Sequence, residues 1–121
     1  MSNIDWSQLV TNEMKIAAEY AREMTAAKTQ LSAKNSSAAL QISRIQDRIE
    51  TLSYGIDIGE ASPEDMEESE SLSSVLKIWK KYKFDLGKVT AKENWYQSPI
   101  WPEQPETPEI VASPERSDQS I

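Results

Sequence analysis

The sequence predicts an all-α fold: a long helix, a shorter antiparallel helix, and an extended proline-rich C-terminal tail. Three observations carry this. Ile42, Ile45, Ile49, Leu52 and Ile56 recur at steps of three and four, which lines apolar side chains along one side of a helix. No proline or glycine falls between Thr11 and Tyr54. Five of the six prolines lie beyond Val89, in a stretch without periodicity, where too little apolar surface is available to offset the entropy of ordering.

The first helix is predicted over about 11–54. Extended backwards, its rhythm passes through Ala38, Asn35, Leu31, Lys28, Met24, Ala21, Ala17, Met14 and Val10, a coiled-coil seam with two polar interruptions. Thr11 suits the N-cap, and Asn12 and Glu13 suit a first turn whose free N–H groups favour accepting side chains. Such a helix is roughly 65 Å long. Its weak point is "SAKNSSA" (32–38), where Ser and Asn are mediocre helix formers and a kink or fraying is expected. Gly55 is a candidate C-terminal cap and Gly59 a further turn.

Ser62, Pro63 and Asp65 announce the second helix, predicted over about 63–87. A capping serine, proline at the first helical position and an acid three residues after the cap satisfy the free N–H groups of the first turn. Its apolar stripe is Leu72, Leu76, Trp79, Tyr82 and Leu86, and Gly87 is the natural stop. The domain organisation is thus a lead-in over 1–10, a helical hairpin over 11–92, and an acidic tail over 93–121, largely disordered.

Composition narrows the function classes. The chain has 121 residues, 38% of them hydrophobic, with no cysteine and no histidine. That removes disulfides and the commonest metal ligands, general base and soft nucleophile. No catalytic constellation, glycine-rich phosphate loop or EF-hand spacing is recognisable, so no enzyme, cofactor or metal is expected. The opening "MSNIDWSQLV" does not read as a signal peptide, and no apolar run approaches the ~20 residues of a membrane span.

Charge is unevenly distributed. Residues 57–76 hold seven acids and no base, residues 77–92 six lysines and one aspartate, and residues 93–121 six acids and one arginine. A basic strip between two acidic blocks is a poor phosphate surface. Glu64, Asp65, Glu67, Glu68 and Glu70 open the second helix, while Lys77, Lys80, Lys81 and Lys88 come near its end, the order that complements the helix dipole. The lysines therefore read as a solvated face rather than a nucleic-acid site.

Trp95, Tyr96, Ile100 and Trp101 are unusual in such a polar tail. Two readings stand side by side. They fold back onto the helices, or they form a linear binding segment whose extended backbone is preset by Pro102 and Pro105. The candidate partner-binding residues are Trp79, Tyr82, Trp95, Ile100, Trp101 and Pro102. Geometry adds a second expectation. A second helix of ~38 Å shields only about Ala33 to Tyr54 of the first. Met14, Ala17, Ala21, Met24 and Leu31 then stay uncovered, which calls for a further helix from a second copy or another protein.

"LKIWKKYKFDLGKV", followed after a gap by "IWPEQPE", resembles the C-terminal signature of tailed-bacteriophage tail fibre assembly proteins. The matching positions are Leu76, Trp79, Lys80, Tyr82, Leu86, Val89, Trp101, Pro102 and Pro105. "IDWSQLVTNEMKIAAEYA" and "IQDRIETLSYGIDIGEASPED" are similar to the family's alanine-rich helix and acidic turn, so the likeness covers about 4–105. Longer members carry an additional N-terminal domain. The resemblance implies a chaperone in the cytoplasm of the host bacterium. It would bind a tail fibre protein and assist its folding and trimerisation, and in some members remain on the fibre of the virion. The expected partners are the fibre and a second copy of the chain, with no nucleic acid and no membrane. The alternative is a structural coiled-coil scaffold or adaptor that self-associates without chaperone activity.

Overall fold

In the computed structural model, which describes residues 6–110 and the side chains from Asn12 onward, two helices pack against each other. Helix α1 spans Trp6–Asp57 and α2 spans Pro63–Leu86, followed by a single 3₁₀ turn at Val89–Ala91. Among the described residues there is no strand. The side chain of Val10 and the tail beyond Ile110 lie outside the described residues.

Helix α1 is longer than its pattern suggests. It begins by Trp6, so Thr11 lies inside the helix rather than at its start. A capping residue permits a start but does not impose one, and "WSQLV" before it contains no breaker. "SAKNSSA" is helical without interruption. Tertiary contacts offset its poor propensity there: Lys83 Nζ donates to Asn35 Oδ1 at 3.2 Å, and Ala38 is fully buried. A small side chain at 38 lets another element approach closely.

The C-terminal stop falls at Gly59, not Gly55. Gly59 has φ +76°, a left-handed conformation that costs any side chain with a Cβ. Its N–H donates to Ile56 O at 3.2 Å, and Glu60 N–H donates to Gly55 O at 2.9 Å, the paired bonds of a Schellman cap. Gly55 is helical, and a Cβ there would meet Ala61 at an ordinary 3.8 Å. The returning chain thus passes over Gly55, leaving Ile56 exposed and ending the seam at Leu52.

Helix α2 starts as its sequence predicts. Ser62 Oγ accepts from Asp65 N–H at 3.1 Å, and Asp65 Oδ2 accepts from Ser62 N–H at 3.0 Å. This reciprocal box brackets Pro63 at the first position and is worth about 1 kcal/mol. Arg48 holds Glu68 through two bonds, at 2.8 and 3.1 Å, with the guanidinium pKa raised by that hydrogen bond. Together with Lys83–Asn35, this bridge fixes the antiparallel register. Early α2 meets late α1, and late α2 meets the middle of α1.

The core is Ala38, Ile45 and Leu52 from α1, Leu72, Trp79, Tyr82 and Leu86 from α2, and Ile110 from the tail. The α1 members sit seven apart, so they stack along one line of the helix. Trp79 and Tyr82 meet edge to face, with ring centroids 5.6 Å apart. Leu31, Ile42, Ile49, Val75, Leu76 and Trp101 pack around this centre.

Candidate functional site

The described part of the tail folds back as a strap. Beyond the end of α2, Tyr96, Pro99 and Trp101 border a shared pocket with Glu23, Ala26, Ala27 and Gln30 of α1. Lys34 Nζ stands 5.3 Å from the centroid of the Trp101 ring, a cation–π contact. Further along, Glu106 O accepts from Trp79 Nε1 at 3.2 Å, and Ile110 is buried. Trp79 lies two turns before the end of α2, so the strap runs opposite to α2.

Proline spacing explains how a segment without regular secondary structure can lie flat. Pro99, Pro102, Pro105 and Pro108 recur every third residue, the period of a polyproline II helix, so they share one face. All four are half-buried, while Glu103, Gln104, Glu106, Thr107 and Glu109 are exposed. Preset φ angles lower the entropy cost of ordering such a segment.

The six sequence-nominated residues divide into two groups. Trp79 and Tyr82 are core, at 0% and 2% exposure. Closed in by α1, α2 and the strap, these two offer no open surface while the strap is in place. The other four come together. Trp95, Ile100, Trp101 and Pro102 line one open groove of about 380 Å³, with Lys88, Lys92 and Asp85 beside them. Ile100 is the most prominent, 77% exposed. Lys81 engages Asp85 at 2.6 Å, and Lys88 Nζ lies 4.6 Å from the centroid of the Phe84 ring. Lys88 and Lys92, just past the end of α2, thus line the groove beside aromatic and acidic neighbours.

A second surface lies upstream. Every residue of 12–22 is exposed, including Met14 at 65%, Ile16 and Tyr20. Met24 and Leu31, expected bare, are half-buried, and Ala27 is buried. The strap extends the cover beyond the reach of α2. Ala27 under the strap, Gln41 in the interface and Ile110 in the core were not nominated from sequence. The three-residue proline period was the available signal.

One polar atom stands out in the core: Tyr82 Oη has no hydrogen-bond partner, and burial raises its pKa above the usual phenol range. Among the described residues, no group of three or more His, Cys, Asp or Glu side chains could hold a metal ion. No helix among them is long and apolar enough to cross a membrane. What the geometry defines is a two-helix hairpin closed by a strap, with one apolar groove and one bare helix end. Comparison with protein families, with curated proteins and with solved structures found no match.

Proposed function

We propose that the chain is a bacteriophage tail fibre assembly chaperone, binding a tail fibre protein and assisting its folding and trimerisation in the host bacterium. The observation that carries this reading is the joining of two motifs distant in sequence. Trp79, Tyr82 and Leu86 of the first pack in one core, and Trp101 of the second packs against that core. Together they leave Trp95, Ile100 and Trp101 along a single groove. An apolar groove and a bare apolar helix end suit a client whose strand edges and apolar faces are open before trimerisation. Trimeric fibres depend on slow, non-local pairing between chains, and covering those surfaces suppresses aggregation.

Co-expression tests the reading. With a tail fibre protein encoded beside it, the chain is expected to raise the yield of soluble trimer, and Ile100→Asp to lower that gain while the hairpin stays folded. Equal trimer yields with and without the chain would contradict it. The second reading, a coiled-coil scaffold, is favoured by the exposed apolar residues of 12–22. It predicts concentration-dependent self-association and no affinity for any fibre.

A further inference from the structure

The strap occupies the space between α1 and α2 as a peptide ligand would. Trp79 Nε1, on the floor, donates to the backbone carbonyl of Glu106. Ile110 fills a closed apolar socket at 3% exposure. Pro99, Pro102, Pro105 and Pro108 give the occupant a three-residue repeat. An aromatic floor, an indole donor to a main-chain carbonyl and proline at every third position are the elements of polyproline II recognition. A polyproline II segment has no internal hydrogen bonds to break and is extended before it binds.

The segment that ties this occupant to α2 is loosely held. Between Gly87 and Ser98 no side chain is buried; Val89, Trp95 and Tyr96 are half-buried and the rest exposed. Redirecting the strap would therefore break few contacts outside the channel it fills.

We propose that the channel between α1 and α2, distinct from the open groove beside Ile100, is a binding site for the strap segment, filled in cis by residues 99–110 and able to take the same segment from a second copy of the chain. The second copy is the occupant because its strap makes the same Trp79 bond and fills the same Ile110 socket. No new interface is needed, as in domain swapping. In one chain the cis strap wins through a millimolar-order effective concentration, so exchange grows as the cis strap loosens or the protein concentration rises. The inference stands apart from the fibre reading and does not depend on it.

A fluorescein-labelled peptide of residues 98–110, SPIWPEQPETPEI, tests it by anisotropy against the full chain. Releasing the cis strap with Ile110→Asp removes the competing occupant, so peptide affinity is expected to rise at least about tenfold over the unaltered chain. The cis-strap variant Pro102→Gly with Pro105→Gly is expected to raise affinity in the same direction, and it decides the matter if Ile110→Asp unfolds the hairpin. A peptide carrying Ile110→Asp is expected to bind at least about tenfold more weakly, since its socket contact is lost. Two results would overturn the proposal. One is a released variant that keeps the helical circular dichroism of the parent yet binds no peptide. The other is equal binding of a peptide that keeps the prolines but lacks Trp101 and Ile110, which would leave the strap of a second copy with no claim to be the occupant.

Discussion

Residues 12–22 and 31–52 belong to one uninterrupted helix and share its heptad rhythm, yet their surroundings have little in common. In the later stretch Ala38, Ile45 and Leu52 are buried beneath α2, and Arg48 and Asn35 are tied to it. In the earlier one every side chain is exposed. The lesson concerns what a helical pattern reports. Once the covered segment is formed, adding upstream residues requires no new nucleus and gains one hydrogen bond each. Helix can therefore run past its packing partner. A seam in the sequence establishes the helix and its apolar face, but not that something covers that face.

The comparison breaks most readily in the covered half. Trp79→Ala is expected to cost about 3–5 kcal/mol and to abolish the cooperative transition in thermal melts. It removes a fully buried indole together with its bond to the strap. Helicity in 12–22 should fall with it, because that segment depends on the covered one for its start.

Truncation after Gln97 comes next. It deletes Ile110 and Trp101 and bares Trp79, but also removes the cost of ordering the strap, so a net loss of about 1–3 kcal/mol is expected. Calorimetry would read this as a lower melting temperature, and a hydrophobic dye would bind the opened channel. A melting temperature equal to that of the full chain would mean that the strap adds nothing to the hairpin.

Tyr82→Phe is a smaller and more selective change. At neutral pH it removes an unpartnered buried hydroxyl, so stability should be unchanged or raised by up to about 1 kcal/mol. Its signature lies in alkali. Burial holds the folded pKa above its ordinary value, so the unfolded chain ionises first, from about pH 10. Between the two pKa values the folded state retains the proton that the unfolded state has lost, and stability falls as pH rises. In Tyr82→Phe that part of the alkaline fall is expected to disappear in denaturant titrations across pH 9 to 11.

The smallest effect belongs to the bare half. Met14→Ala should change stability by less than about 0.5 kcal/mol, because Met14 remains 65% exposed. A loss of 2 kcal/mol or more, of the size expected for a buried methionine, would place a partner over this face.

How far the sequence carried each element follows from the range of its forces. The α2 start was legible because Ser62, Pro63 and Asp65 act within one turn. The central seam was legible because Ile45 and Leu52 fall in register with Ala38 over two heptads. The α1 start was not, since the Thr11 cap is optional where upstream residues can continue the helix. Nor was the stop at Gly59, because Gly55 carries the same residue type and only backbone conformation separates them. The site was half legible. Trp95, Ile100, Trp101 and Pro102 stood out as aromatic and proline residues in a polar tail, and the structure gathers them. Trp79 and Tyr82 were legible as members of the apolar stripe of α2, but the strap that bonds Trp79 is a contact across 27 residues of chain that no local pattern encodes.

Residue-resolved amide hydrogen exchange on the full chain tests the central contrast most directly. Amides of 38–52 are expected to exchange only through global unfolding, those near Ala27 to show intermediate protection from the strap, and those of 12–22 to exchange close to the rate of an isolated helix. Uniform protection from 12 to 52 would contradict the account, since a helix face left bare within the chain cannot share the stability of its packed half.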